Sequence, residues 1–469
     1  VEQERAVGVV VEPWPGAAGR PQDFGTCHAG GWPRPAELAS ATYPRAHGVP
    51  NLGGRVGTLL ATFGRLQPTN TIEVLALRAG EAHSAIRAHR TNMTTRRKVL
   101  LGTVVMMALS AGCRTAKEPA SSTTEVSRAE KPLDILFLGG TGFLGPHQVE
   151  YALARGHHVT IFNRGQTAKD LFGDRVEVLI GNRDANIEPG LAALQGDRRW
   201  DVVIDNSGYV PRHVRDSVTL LKDRVGRYVY VSTVAVYDSS AGGVMNEQSP
   251  LWPAPSPEVE EVTGATYGPL KAECDRIVQK ELGARATLVR PTYIFGPGDE
   301  TDRFTYWVDR VSSGGEVLAP PDPKAELQWV DVRDLCPWIV QLGERDQAGI
   351  FNASGPTVPA NWGQVLQSLT KLASEPVQFR WATPEVLKET GMRQPLVRQA
   401  ASPGAVTLNG RFDGRKAETV GLHYRPLADT AAATLAWWRA QTPERRANAV
   451  EGWPTPEQEQ KALALLRSR

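Results

Sequence analysis

Tyr267 and Lys271 stand four residues apart in Y-G-P-L-K. On a helix that spacing puts a phenol and an ammonium on one face. A nearby cation favours phenolate and draws a tyrosine toward acid–base use. Pro269 fits if the pair opens the helix, because the first turn leaves its N–H groups unpaired in any case. Such a pair is common by chance and gains weight only from its surroundings. A second set, Gly139, Gly142 and Gly145 in G-G-T-G-F-L-G, has the spacing of a phosphate-cradling turn. Gly139 permits the tight turn, Gly142 lets backbone approach a pyrophosphate, and Gly145 lets a helix lie close to a strand. Thr141, Phe143 and Leu144 complete the turn. A third pair, Asn163-Arg164, falls where NAD-selecting domains carry Asp or Glu for the ribose 2′-hydroxyl. A guanidinium there suits a 2′-phosphate, so NADP is preferred over NAD.

These groups need a scaffold that brings distant segments to one edge, and the chain has its pattern. Apolar runs at 133–139, 157–163, 175–180, 200–206, 227–233 and 285–290 alternate with helical periodicity at 143–155, 211–223 and 267–283. That is the signature of an α/β, Rossmann-type, doubly wound parallel sheet, here spanning 133–295. A smaller mixed domain, 296–442, follows on the substrate side, with strands near 316–319 and 349–353 and helices near 331–344, 361–374 and 426–441. Trp437 and Trp438 on the last of these read as packing anchors, and 443–469 as a charged, loosely held tail.

At 469 residues the chain has length for more than one domain, and 53 basic against 51 acidic residues give no electrostatic reason to expect nucleic acid. Cys27, Cys113, Cys274 and Cys336 are too scattered for a zinc site or a disulfide framework, so no metal is expected. Residues 1–92 read as an unstructured or non-native extension. Met93 then starts a segment, 93–113, with twin arginines (Arg96-Arg97), an eleven-residue apolar run at 99–109, and Ser110-Ala111-Gly112-Cys113. The run is too short to span a bilayer and suits a signal-peptide core, with Cys113 as a candidate lipid anchor. A polar linker, 114–132, follows. Translation from Met93 implies an exported, periplasmic or membrane-anchored protein; otherwise a cytoplasmic one.

Taken together, G-G-T-G-F-L-G at 139–145, V-S-T-V-A-V-Y at 231–237, Y-G-P-L-K at 267–271 and R-P-T-Y-I-F-G-P at 290–297 make the chain resemble the NAD-dependent epimerase/dehydratase family. These are extended or atypical short-chain dehydrogenases/reductases. The resemblance implies Tyr267 as acid/base, Lys271 on the nicotinamide ribose, and Thr233 beside the substrate hydroxyl, with Ser232 as its understudy. It implies that Asp205, Asn206 and Pro291 to Tyr293 line the cofactor cleft, and leaves Asp184 with or without an adenine-side role. The segment 296–307 is either a substrate loop, with Arg303 for anions and Trp307 for stacking, or a connection whose aromatics fill the core. Asp331-Val332-Arg333-Asp334 reads as a helix start with charged partners.

The implied activity is NAD(P)-linked epimerisation, dehydration or reduction of a small hydroxyl or carbonyl substrate, a nucleotide sugar among the options. The alternatives are a plain NADPH-dependent reductase, or an NADP- or RNA-binding protein on the same scaffold. Relatives of this type often dimerise through a helix pair.

Overall fold

A computed structural model describes residues 126–167, 170–238, 240, 242–397, 411–447 and 453–469. The expected extension, signal segment, Cys113 and most of the linker lie outside the described residues. Seven parallel strands form the main sheet: β1 (Asp134–Leu138), β2 (His158–Asn163), β3 (Glu177–Ile180), β4 (Trp200–Asp205), β5 (Val225–Val231), β6 (Ala286–Pro291) and β7 (Gly349–Ala353). Their spatial order is β7-β6-β5-β4-β1-β2-β3. The chain leaves β1 in one direction and returns at β4 to build the other. The carboxyl ends of β1 and β4 therefore flank the topological switch point, where doubly wound sheets bind ligands.

The continuous apolar runs follow from burial on both faces. In β1, Ile135 and Phe137 join one core with Val149 and Ala152 of α1 (Leu144–Arg155), while Leu136 and Leu138 join the other. That second core receives Val214, Val218 and Leu221 of α2 (Pro211–Leu221) and Cys274, Ile277 and Val278 of α3 (Tyr267–Leu282). The helix that begins with Tyr267 thus lies on the face that carries Tyr228 and Tyr230 of β5. Beyond β6, α4 (Arg303–Ser312) belongs to a third core, while Leu335, Trp338 and Ile339 of α5 (Val332–Glu344) return to the first.

Two expectations about organisation are corrected. Strand 349–353 is not part of a separate substrate-side unit; β7 pairs in parallel with β6, with Phe351 opposite Val289. The sheet therefore does not close at residue 295. Sequence separation hides this pairing, because the partner strand lies on the far side of the whole α4–α5 insertion. Nor is the final described segment, 453–469, loose. Its last helix, Pro456–Ser468, carries a capping box between Thr455 and Gln458. Ala462 and Leu463 are buried against Leu318, Val386 and Leu387. The charges of this helix face outward or find partners: Glu459 accepts from Arg310 Nε at 2.6 Å and from the Leu318 N–H at 2.9 Å.

Trp438 is buried and packs on Trp453, as an anchor should. Asp331 caps α5 by accepting from the Arg333 N–H, the helix-start role read for it.

Candidate active site

The three glycines after β1 do three different things. Gly139 has φ +84°, a left-handed backbone, and its N–H donates to the Phe162 carbonyl at 2.9 Å. A Cβ on Gly145 would lie 2.2 Å from the carbonyl carbon of Gly140, so α1 can pack on the turn only without a side chain there. A Cβ on Gly142 would meet nothing within 4 Å. No side chain caps the start of α1 at Phe143; the Gly145 N–H donates to the Gly142 carbonyl at 3.0 Å, and a helix start without a side-chain cap suits an anion. The loop after residue 295 packs on this helix: His147 Nε2 lies 2.9 Å from the Pro297 carbonyl, and burial lowers the pKa of the imidazole.

Beside the turn, a cleft of ≈ 390 Å³ is lined by Thr141, Asn163, Arg164, Gly165, Phe172 and Ile180, among others. Asn163 Oδ1 accepts the Gly165 N–H at 2.7 Å and shapes the bend that carries Arg164 into solvent at the rim. The glycine turn and the Asn163-Arg164 strand end, far apart in sequence, thus line one cleft.

The acids expected nearby are engaged elsewhere. Asp205 is fully buried and receives Arg183 at 2.6 and 3.0 Å, the Tyr228 hydroxyl at 2.7 Å and the Ser207 N–H at 3.0 Å. Burial alone would push its carboxyl upward, but the Arg183 guanidinium outweighs it and holds the group below the usual carboxylate range. Asp205 is therefore a structural ion-pair partner, not a group lining the cofactor cleft; the sequence reading missed Arg183. Asp184 is tied down as well. Arg212 donates to it at 2.7 Å and to Glu260 at 2.6 Å, joining the end of β3 to the segment before α3. The Arg212 hydrogen bond keeps Asp184 well below the usual range. Asn206 does stay at the crevice, half-buried, donating to Gln148 Oε1 at 2.6 Å.

Across the switch point, Thr233 follows β5 and is buried. Its Oγ1 accepts the Ala235 N–H at 3.2 Å, which leaves the Thr233 O–H itself to donate. Ser232 is buried too, and its Oγ has no hydrogen-bond partner among the described residues. Tyr267 opens α3, half-buried, with its ring centroid 6.4 Å from that of Tyr209.

Lys271, one turn later, is turned inward. Its ammonium donates to the Tyr230 hydroxyl at 2.6 Å, the Gly208 carbonyl at 2.7 Å and the Val231 carbonyl at 2.9 Å. The Tyr230 and Tyr209 rings lie 4.2 and 5.2 Å from it. Burial presses this ammonium below the ordinary lysine range. Tyr209, Gly208 and Tyr230 were not read as site residues. Tyr230 carries the period of a buried strand and nothing in its neighbours marks a polar role. Gly208 has a signal only in space, since a Cβ there would lie 2.6 Å from the Tyr230 ring.

The 296–307 segment divides. Arg303 stays half-exposed, with its guanidinium 5.3 Å from the Tyr293 ring centroid and its Nε donating to Thr301 Oγ1 at 2.9 Å. Trp307 does not reach the surface. It is fully buried, donates Nε1 to the Pro395 carbonyl at 2.8 Å and packs on Trp362 at 5.0 Å. Pro291 is buried as the last residue of β6.

Comparison with known proteins gives three kinds of likeness. Residues 135–354 match the model of the NAD dependent epimerase/dehydratase family. Among curated proteins, the chloroplast stem-loop binding protein of 41 kDa b from Arabidopsis thaliana is 26% identical over 52% of this chain and 63% of its own length. The decarboxylating sterol-4-alpha-carboxylate 3-dehydrogenase ERG26 of Candida albicans is 26% identical over 36% of this chain and 53% of its own. The chain thus spans less than two thirds of either relative. Among solved structures, UDP-glucuronic acid 4-epimerase from Bacillus cereus in complex with NAD superposes with TM-score 0.47 at 17% identity, covering 65% of this chain and 97% of that one.

Proposed function

We propose, from the match of residues 135–354 to the model of the NAD dependent epimerase/dehydratase family, that the protein is an NADP-linked oxidoreductase of the epimerase, dehydratase or reductase type. Its substrate is a small molecule with a hydroxyl or carbonyl group. One observation carries the reading: Thr141 of the glycine turn and Arg164 of the β2 strand end line one cleft, beside a Gly142 whose Cβ position is open. The residues present fit the adenosine and phosphate half of a dinucleotide. Gly139 to Gly145 would hold the pyrophosphate and Asn163-Arg164 the phosphorylated ribose.

The dinucleotide, when bound, supplies a hydride acceptor and donor. The chain supplies the proton chemistry. Thr233, already accepting from Ala235, donates its O–H to the substrate oxygen and orients it. Tyr267 takes or returns the proton of that oxygen. Arg303, on the Tyr293 ring, holds an anionic part of the substrate; a nucleotide sugar meets this requirement.

The test is Tyr267→Phe, assayed for NADP-linked turnover over a panel of nucleotide sugars and simpler ketones. Turnover should fall by about 10²-fold or more while NADP affinity stays unchanged. A variant as active as the parent would defeat the catalytic assignment.

A second reading, a binding protein on the same scaffold, draws support from Lys271, whose three N–H bonds all end on protein acceptors. In that case Tyr267→Phe changes nothing, and neither protein turns over any substrate. The near-neutral charge, 53 basic against 51 acidic residues, speaks against RNA as the ligand.

Localisation completes the proposal. Export through 93–113, with Cys113 acylated, requires a cofactor loaded before export and retained, and so a closed cycle in which hydride leaves and returns. N-terminal sequencing of the natural product tests the start at Met93. Peptides from residues 1–92 in that product would overturn it.

A further inference from the structure

Lys271, like Asp205 and Trp307, has surroundings that disagree with the role read for it. An ammonium has three N–H bonds and no acceptor. Here all three are spent on Tyr230, Gly208 and Val231, and the residue is 2% exposed. The Tyr230 hydroxyl in turn donates to the Gly208 carbonyl, so lysine, phenol and carbonyl close a ring of hydrogen bonds. Gly208 is fixed in that ring from behind: a Cβ there would also meet Val214 at 2.8 Å. Tyr209, the next residue, lays its ring near the ammonium and lies tilted to the Tyr267 ring, 6.4 Å away. Reaching a ribose would require withdrawing N–H bonds from buried acceptors and moving Tyr209 aside. Buried acceptors are costly to leave unpaired.

We propose that Lys271 is a structural post, positioned by Tyr230, that ties α3 to the carboxyl ends of β4 and β5. The crevice then holds its dinucleotide chiefly through the adenosine and phosphate half. The ligand clause rests on the dinucleotide reading above; the post itself does not. Lys271 and Tyr230 are positioning residues: they set where α3, and hence Tyr267, meets the crevice.

Residue-resolved amine labelling of the full chain with a small acylating reagent tests the post without any cofactor. Lys271 should stay unmodified while exposed Lys280 and Lys324 react, and NADP should not alter this. Labelling of Lys271 at the rate of Lys280, suppressed by NADP, would overturn the proposal. In Tyr230→Phe, Lys271 should become reactive while NADP affinity stays within about twofold. A gain of about tenfold in affinity would show that Tyr230 merely competes with a ribose for the lysine, and would also overturn it.

The ligand clause is read by titration. Adenosine 2′-phosphate 5′-diphosphate, which lacks the second ribose and the nicotinamide, should bind within about threefold of NADP. A loss beyond about tenfold defeats the clause. Failure of the parent protein to bind either compound defeats the dinucleotide reading, and the labelling pattern still decides the post.

Discussion

At the glycine turn the surface is backbone: Gly142 faces open space, α1 begins without a side-chain cap, and Arg164 reaches solvent. At the opposite end every polar group of the Lys271 cluster is already partnered, and aromatic rings enclose it. The first end keeps hydrogen-bonding capacity in reserve for a ligand. The second has used its capacity to hold the fold. The same contrast separates two residues of one sequence motif, because Tyr267 is half-buried while Lys271 is buried and bonded to protein acceptors. Spacing on a helix puts two side chains on one face; it does not say how deep each one lies.

The most damaging way to probe this contrast is to break the filled half. Asp205 lies behind the crevice, with Arg183, Tyr228 and Ser207 all donating to it. Asp205→Ala leaves a buried guanidinium without its counter-ion and should destabilise the protein by about 3–5 kcal/mol, seen as an early denaturant midpoint. Retention of the parent midpoint would show that Arg183 finds water there.

The glycine turn permits a sharper version within seven residues. Gly145→Ala forces a Cβ to within 2.2 Å of backbone, and should cost about 3 kcal/mol in the same denaturation experiment. Gly142→Ala meets nothing and should leave stability within about 0.5 kcal/mol of the parent, yet weaken NADP binding about tenfold by blocking the phosphate's approach. If both variants lose stability alike, the open side of Gly142 is not a ligand surface. Arg164→Ala is milder. It should weaken NADP about tenfold, leave NAD unchanged, and leave the denaturation midpoint where it was.

The parts legible from sequence were those with a local pattern. Apolar runs bounded by glycine marked all six strands of 133–290 to within two residues or so, because burial on both faces demands such runs. The glycine spacing located the turn between β1 and α1, since Gly139 and Gly145 each answer a constraint close by in the chain. Illegible parts depended on what meets across the fold. Trp307 looks the same in sequence whether it stacks on a ligand or on Trp362. Asp184 and Asp205 look like cleft acids until Arg212 and Arg183 arrive from other elements. Tyr230 hid in a strand whose alternation gives no sign that its hydroxyl will meet an ammonium from α3. The final helix was masked by its charges, although Ala462, Leu463, Leu465 and Leu466 recur at helical spacing.

A further effect, confined to stability, concerns a filled cluster away from the crevice. Glu344, at the end of α5, accepts from Arg155 at 2.8 Å and lies 2.7 Å from His157 Nε2, tying α5 to the start of β2. Burial pushes its carboxyl upward, but the hydrogen bonds from His157 and Arg155 prevail and bring the pKa down to about 2 from 4.5. A carboxylate lowered on folding stabilises the native state above its unfolded value and loses that contribution as pH falls through the folded one. Glu344→Gln should therefore cost about 1–2 kcal/mol at neutral pH, after allowance for screening at a partly exposed site. The gap from the parent should narrow below pH 4.5 and close near pH 2. NADP affinity should not move at any pH where both proteins stay folded, since nothing in this cluster touches the crevice. A pH-independent gap in the denaturation midpoints would mean that Glu344 acts through packing and not through its charge.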